Sequence, residues 1–224
     1  MDEKKFDWRE ALGWGWRTTK ENLGFFVRLL LIFVLVELVF GLLTGPSGSG
    51  PSRAGLAVFL LVLLQVVARV VMELGMTRIN LNFVDGQPSE LRDLFGSGRF
   101  FWPYLGASLL YLLAIVIGLI LLVIPGFYLA IRLQFFPYLI VERGMGPVEA
   151  LRKSAAITRG SVWRLFLFSL LLIGVNILGL LALVVGLFVT VPTTMLAMAR
   201  VYRNLLEADE PAAPEAVPAE PVQA

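Results

Sequence analysis

Long runs of apolar residues alternate with short polar segments along this chain. The first run extends from Gly24 to Leu43, and the second extends from Ala54 to about Met76. Each has roughly the 20 residues that an α-helix needs to cross the hydrocarbon core of a membrane. A turn-rich loop over 44–52 separates them, and polar sequence fills 77–100. The pattern predicts two transmembrane helices joined by a short loop.

The two later apolar runs are each too long for a single crossing. The run from Trp102 to Val141 would be ~60 Å long as one helix, about twice the thickness of the hydrocarbon core. It must fold back, and we expect the helix corner at Pro125 and Gly126, because proline ends helices and glycine permits tight turns. The run from Val162 to about Leu206 must fold back as well, with candidate corners at Gly179, Gly186 and Pro192.

This pattern predicts an all-α, polytopic membrane helix bundle of six transmembrane helices arranged as three hairpins. Five spans remain the alternative, if the short segment 127–141 fails to cross. The expected domains are a cytoplasmic amphipathic helix over 1–23, a six-span membrane domain over 24–206, and a disordered, acidic, proline-rich tail over 207–224.

An internal repeat accompanies the hairpins. Glu10-Ala-Leu12 is followed by Thr19-Lys20 before the first span, and Glu149-Ala-Leu151 is followed at the same spacing by Thr158-Arg159 before the fifth. A weaker copy at Glu90-Leu91 precedes the third span. We therefore expect a short amphipathic cytoplasmic helix before each hairpin. The first either lies against the inner leaflet or packs on the protein's own cytoplasmic ends, and the two arrangements are compatible.

Basic residues predict the orientation. With six spans and a cytoplasmic N-terminus, fifteen Lys and Arg residues fall inside, and only Arg53 falls in an external loop. Tryptophans, which favour the depth of the lipid headgroups, all fall at the same inner interface as expected anchors: Trp8, Trp14, Trp16, Trp102 and Trp163. Both termini are therefore expected in the cytoplasm. We expect no cleavable signal peptide, because the chain begins with mixed charges and the first apolar run is long enough to stay as an anchor.

Composition narrows the chemistry. The chain of 224 residues is 58% apolar and 16% charged, which excludes an ordinary soluble globule. It has no Cys and no His, which excludes disulfides, Cys/His metal sites and Ser-His-Asp triads. The net charge of +2 is too small for general nucleic-acid binding. We expect no cofactor and no metal, with the lipid bilayer as the first partner and membrane or cytoplasmic proteins as candidate further partners.

Several short motifs carry a family resemblance. They are the run Glu73 to Leu81, Asp85-Gly-Gln-Pro88, Leu91-Arg-Asp-Leu-Phe95, Pro125-Gly126, Glu149-Ala-Leu151 with Ser154, and Thr158-Arg-Gly160. Together they resemble the bacterial YciC-like inner-membrane proteins and the membrane domain fused to some glycerophosphoryl diester phosphodiesterases. The resemblance implies a six-helix integral protein of the bacterial cytoplasmic (inner) membrane. It implies no phosphodiesterase activity, because that chemistry belongs to a separate soluble domain.

Ionisable groups inside spans are candidate functional groups, because charge in the hydrocarbon core is costly. Glu37 lies six residues before Leu43, and Arg132 lies six residues after Gly126. Both are therefore ~9 Å from the outer ends of their spans, and we predict that they pair. The pair either fixes how two hairpins dock or forms a gated polar site.

The remaining polar residues in the spans have more modest predicted roles. Arg69 and Glu73 are four residues apart, so we expect them to form a structural ion pair on one helix face. Gln65, Gln134 and Asn176 lie near mid-depth. They either bond neighbouring helices or line a polar cavity.

Three classes of function compete. A non-enzymatic scaffold or accessory module at the cytoplasmic membrane needs no dedicated site and is the first expectation. A small-molecule or lipid transporter is the alternative, and it needs a wet cavity around Glu37 and Arg132. A membrane enzyme is third, because no paired carboxylates or activated nucleophile are evident.

Overall fold

The computed structural model describes residues 6–44, 54–182 and 185–210 and shows an all-α protein. Its long helices are apolar on all sides, as expected for helices that face lipid. Two short 3-10 turns, Leu91–Leu94 and Gly98–Phe100, precede the fourth helix. The α-helices are α1 (Trp8–Glu21), α2 (Leu23–Thr44), α3 (Ala54–Val84), α4 (Phe101–Leu121), α5 (Val123–Leu133), α6 (Phe136–Arg143), α7 (Pro147–Ile157), α8 (Val162–Leu181) and α9 (Leu187–Asp209).

Within the described residues, five segments are long and apolar enough to cross a membrane. The chain is therefore a multi-pass membrane protein in contact with the lipid bilayer. The segment 123–143, whose crossing the sequence left in doubt, is among the five. The sixth expected span falls on α9, which is not among them. The five segments are Leu23–Leu43, Gly55–Val84, Leu91–Leu121, Val123–Arg143 and Val162–Leu181.

The physical reason lies in the position of α9. Eleven of its residues are buried, including Thr190, Thr193 and Thr194. It runs antiparallel to α8, since Gly179 packs against Thr190 and Gly186 near the corner. A helix surrounded by other helices does not need the apolar surface of one that faces lipid, so its hydropathy is low.

The corner expected at Pro125 and Gly126 is wrong by a few residues. The chain turns at Leu122, which has an extended backbone with φ −166° and ψ 146°. Pro125 lies in the first turn of α5, where its missing N–H breaks no helical hydrogen bond. Gly126 instead provides a close approach: a Cβ added to Gly118 would lie 2.8 Å from the Gly126 Cα. These glycines hold α4 and α5 together.

Two other boundaries differ from expectation. The polar segment expected to begin at Thr77 continues α3 as helix to Val84, because Met76, Ile79 and Phe83 keep the helical apolar spacing. At the other end of the chain, α9 extends to Asp209, past the expected boundary at 206. The loop with Arg53, which is expected to be external, and the tail from 211 onward lie outside the described residues.

The helices group into three units, each with a leading element, a first helix and a second helix. Unit 1 is α1, α2 and α3; unit 2 is the two 3-10 turns, α4 and α5–α6; unit 3 is α7, α8 and α9. The leading elements of units 1 and 3 are helices as predicted, whereas that of unit 2 is only the two 3-10 turns. The units correspond to the three copies of the sequence repeat.

Packing between the units follows a cyclic order. Each leading element packs on the second helix of the preceding unit: α1 on α9, the 3-10 turns on α3, and α7 on α5 and α6. The first helices follow the same order, with α2 contacting α9, α4 contacting α3, and α8 contacting α5. Unit 3 thus precedes unit 1, and the ring is closed.

A cluster of ion pairs ties the second helices together at one end. Arg203 of α9 reaches Asp85 after α3 at 2.7 Å and Glu142 of α6 at 2.5 Å. Arg143 binds both carboxylate oxygens of Glu210, at 2.9 Å and 2.6 Å. Lys153 of α7 also binds Glu210. We call this group, with Asp209, the end clamp.

Ion pairing in the end clamp shifts the pKa values of its charged groups. Hydrogen bonds from Arg143 and then Lys153 lower the pKa of Glu210 to about 2. The same contact with Glu210 raises the pKa of Lys153. Both shifts favour the charged forms, so the clamp is held as an ion pair at neutral pH.

Candidate functional site: a central cavity with unsatisfied polar groups

A cavity of about 650 Å³ lies where the second helices of all three units meet, and α2 closes one side. We call it the central cavity. Six of the thirteen lining residues come from one stripe of α3 at helical spacing. The lining residues are Phe33, Glu37, Arg69, Met72, Glu73, Met76, Thr77, Asn80, Gln134, Pro137, Tyr138, Met195 and Met198.

Glu37 is in this cavity, but the predicted Glu37–Arg132 pair is wrong. Its carboxylate binds the Arg69 guanidinium at 2.5 Å and accepts a hydrogen bond from Gln65 Nε2 at 3.1 Å. The expected Arg69–Glu73 pair is therefore also wrong. Arg69 turns toward α2 instead of along its own helix, because Glu37 would otherwise be a lone charge in a membrane-spanning helix.

Arg132 is used elsewhere. Its Nε donates a hydrogen bond to the Ala155 carbonyl at 3.3 Å, and its guanidinium lies 5.7 Å from the centre of the Tyr128 ring. The first contact joins unit 2 to unit 3, and the second lies within α5. Both lie away from the lining of the cavity. Arg132 therefore fixes α7 against α5.

The helix is interrupted between α5 and α6, beside the cavity. Hydroxyl groups from α7 and its C-cap bond the backbone groups that the interruption frees. Pro137 has no N–H to continue the helix. The Ser154 hydroxyl accepts the Phe135 N–H at 3.1 Å and donates to the Arg132 carbonyl at 3.1 Å. Thr158 donates to the same carbonyl at 3.0 Å. Both hydroxyl residues are fully buried, so they replace the missing helical partners without water.

Two polar atoms in the cavity wall have no partner. Asn80 is 3% exposed, and its Oδ1 has no hydrogen-bond donor. The Gln134 Nε2, at the break between α5 and α6, is buried without an acceptor. An unsatisfied buried polar group costs about 1–3 kcal/mol. A ligand that supplied either missing partner would remove that cost, so the two groups mark the polar part of the cavity.

Glu73 adds uncompensated charge. It lies beside the Tyr104 hydroxyl, and no Lys or Arg in the described ranges forms an ion pair with it. The cavity wall thus carries the carboxylates of Glu37 and Glu73 against the single guanidinium of Arg69. Its formal charge is negative.

Asn176, the third amide expected near mid-depth, is not in the cavity. Its Nδ2 donates to Thr194 Oγ1 at 3.1 Å, which joins α8 to α9. Of the three amides, Asn176 and Gln65 thus bond neighbouring helices, and Gln134 lines the cavity.

Three tryptophans, Trp8, Trp102 and Trp163, lie at the beginnings of helices, whereas Trp14 and Trp16 lie in the middle of α1; all but Trp14 are exposed. Trp102 is 76% exposed and Trp163 is 69% exposed. On α1, Arg9 lies 5.0 Å from the Trp8 ring and Lys20 lies 5.1 Å from the Trp16 ring. Trp14 is half-buried, with the Arg200 guanidinium 5.6 Å from its ring. It therefore serves packing within the protein.

Helix α1 has two different faces. Ala11, Gly15 and Thr19 are buried against α9, and a Cβ on Gly15 would lie 2.7 Å from the Thr193 carbonyl oxygen. Trp8, at the N-terminal end of that stripe, and Trp16, beside it, remain exposed. The alternative in which α1 packs on the protein itself is thus present in the structure, and an exposed aromatic face remains available.

The sequence did not single out Asn80, Tyr138 or the four methionines that line the cavity. The apolar run in the sequence ends at about Met76, so the pattern places Asn80 in the polar segment that follows it. The helical spacing of Met76, Ile79 and Phe83 was the signal that would have placed it on the helix. The methionines carry no such signal, because apolar residues are common throughout the spans.

Comparison with known proteins gives a family without an assigned activity. No curated protein and no solved structure matches the chain. Nothing links it to the YciC-like proteins or to the phosphodiesterase membrane domain that its motifs resemble. One family model matches residues 55–209, which is more than half of the chain. The chain is a multi-pass membrane protein that belongs to the family described as "Protein of unknown function (DUF975)".

Proposed function

We propose that this protein is a non-enzymatic scaffold or accessory module of the bacterial cytoplasmic membrane that acts through contacts with lipid or partner proteins. The observation that carries the proposal is the exposed face of α1. Its tryptophans Trp8 and Trp16 are exposed and have cations beside their rings, next to the stripe that holds α1 on α9. Aromatic rings and basic groups together favour the headgroup region of a leaflet rich in anionic lipid.

Lipid retention tests this function. The protein is reconstituted in nanodiscs with equal amounts of phosphatidylcholine and phosphatidylglycerol, and the lipids bound after detergent extraction are measured by native mass spectrometry. We expect enrichment of phosphatidylglycerol and its loss in the double variant Trp8→Ala/Arg9→Ala. Leu109→Ala, which removes an exposed apolar side chain from α4, is the matched control. Equal retention of both lipids by the wild-type protein would contradict the proposal.

The same proposal places both termini and the leading elements in the cytoplasm, with α9 as a sixth crossing beside α8. The distribution of basic residues and the antiparallel contact of α8 with α9 support it. Single cysteines at Arg159 and at Arg53 test it, because the chain has none of its own. An impermeant maleimide added outside should label the second and spare the first; the reverse result would invert the topology.

A second function, transport of a small molecule or lipid, is favoured by the broken helix beside the central cavity. Interrupted helices in transporters line the substrate site, where the free backbone groups meet a cavity instead of lipid. Here the interruption lies beside the cavity at Gln134, whose side-chain Nε2 is buried in the cavity wall without an acceptor. Arg132, expected as part of such a site, takes no part in it.

Water access separates the two functions. Cysteines placed singly at Glu37, Gln134 and Met198 report on the cavity, and a cysteine at Asn176 reports on a helix contact outside it. Rapid labelling of the three cavity positions from one side, with Asn176 protected, would favour transport. Protection of all four positions would leave only the scaffold function.

A further inference from the structure

We propose that the central cavity binds a primary alkylammonium, that is, an amphiphile whose –NH₃⁺ group carries an apolar chain. The proposal rests on the second function above, because it supplies the ligand for that cavity. It is carried by Asn80 Oδ1, a buried acceptor with no donor, in a wall that also carries the carboxylate of Glu73 about two helical turns away on α3.

The polar part of the wall selects the headgroup. An unpaired acceptor requires a ligand with a hydrogen-bond donor, and Asn80 Oδ1 is such an acceptor. Glu37 and Glu73 outnumber Arg69, so a cation is favoured over an anion. A primary ammonium provides both features, with three donors and one positive charge. A quaternary ammonium has the charge and no donor, and an alcohol has a donor and no charge.

The apolar part of the wall selects the chain. Met72 and Met76 from α3 face the cavity together with Met195 and Met198 from α9. Methionine side chains are flexible and adapt to ligands of irregular shape. A cavity of about 650 Å³ is in the range of sites that hold small organic molecules. Methionine walls next to a polar end match an amphiphile rather than a free ion.

Protection from labelling measures binding. A cysteine is placed at Met198 in the otherwise Cys-free chain, and the protein is reconstituted in phosphatidylcholine nanodiscs. We expect dodecylammonium to slow maleimide labelling at concentrations about ten- to a hundredfold lower than dodecyltrimethylammonium or 1-dodecanol, because only the first can use Asn80. A cysteine at the exposed Arg159 controls for non-specific effects of the amphiphiles.

Matched variants separate binding from folding. In Asn80→Leu the dodecylammonium concentration needed for protection should rise by about tenfold or more, whereas the unfolding midpoint of the free protein should not fall, because Oδ1 has no bond to lose. Ser169→Ala removes an unpartnered buried hydroxyl on α8, outside the cavity, so protection should not change. If Asn80→Leu fails to fold, Glu73→Gln replaces it and should weaken dodecylammonium binding without affecting 1-dodecanol.

The source of the ammonium is resolved by the lipid. If phosphatidylethanolamine in the nanodisc protects the cysteine by itself, the ligand is a membrane lipid with the same headgroup chemistry; if it does not, the ligand is a free amphiphile. Equal potency of the three dodecyl compounds would overturn the ammonium proposal and leave the cavity as a general amphiphile site. Absence of protection by all three, together with absence of protection by the lipid, would overturn this inference, whereas the transport function is decided separately by the water access of the cavity positions.

Discussion

Thr19 and Thr158 occupy the same position of the sequence repeat, and each is fully buried against the second helix of a different unit. Thr19 receives a hydrogen bond from Thr193 of α9 at 3.2 Å, and Thr158 donates to the Arg132 carbonyl of α5 at 3.0 Å. Ala11 and Ala150, each eight residues earlier in the repeat, are buried as well. The repeat thus encodes a packing face.

Ser154→Ala should destabilise the protein by about 1–3 kcal/mol, because it leaves both the Phe135 N–H and part of the Arg132 carbonyl unsatisfied at the break in the helix. Unfolding in mixed micelles of increasing sodium dodecyl sulfate measures the loss. Ser169→Ala is the control, since the Ser169 hydroxyl has no partner and its removal should cost little. Equal effects of the two changes would show that Ser154 does not support the break.

Glu37→Gln and Arg69→Leu should each reduce the yield of folded protein more than the double variant does, because a single change leaves one charge unpaired in the membrane. A double-mutant cycle from the same unfolding measurement gives the coupling between the two side chains. Combining Glu37→Gln with Arg132→Leu is the matched comparison. Its effects should be additive, and a rescue there would support a Glu37–Arg132 contact that the structure lacks.

Gly75→Ala should be strongly destabilising, because a Cβ at this position would collide with the backbone of Leu94, in the leading element of unit 2. We expect a loss of at least about 2 kcal/mol, the size typical of overpacking in a core. Gly174→Ala, on α8 with open space around it, should be neutral or stabilising by up to about 1 kcal/mol. Unfolding midpoints of the two variants check this contrast.

The end clamp should make stability sensitive to acid. Unfolded, Glu210 takes up its proton near its ordinary pKa of 4.5; folded, it does so only near about 2. Between these values the unfolded state binds more protons, so the contribution of Glu210 is complete above about pH 4.5 and is lost as the pH falls toward 2. Comparing unfolding midpoints of wild type and Glu210→Gln over this range measures it. A difference that does not shrink with acid would contradict the clamp.

Apolar patterning predicted the membrane helices and the fold-back of the third long run, because lipid contact requires apolar surface over most of a span. The sequence could not predict the partner of Glu37. Arg69 can turn along its own helix or toward α2, and that choice depends on the rotation of neighbouring helices, which no local pattern records. The turn at Leu122 was missed for a similar reason, because the glycine beside Pro125 served a contact with Gly118.

The central cavity was only partly predictable. Glu37 and Gln134 stood out as polar residues in apolar runs, whereas Asn80 lies in a polar stretch where nothing distinguishes it. The low hydropathy of α9 follows from its position among the other helices. A helix at the centre of a bundle contacts other helices instead of lipid, so its sequence resembles that of a helix in a soluble protein.

The cyclic packing of the three units has a consequence for biosynthesis. Since α1 packs mainly on α9, its main partner among the described helices leaves the ribosome only after all the helices between them. Units 1 and 2 can assemble as the chain emerges, but the Ala11–Gly15–Thr19 stripe must wait for unit 3. Packing of α9 on α1 is thus the step that completes the ring of units. A chain that lacks α9 would expose this face of α1, and quality control could act on it.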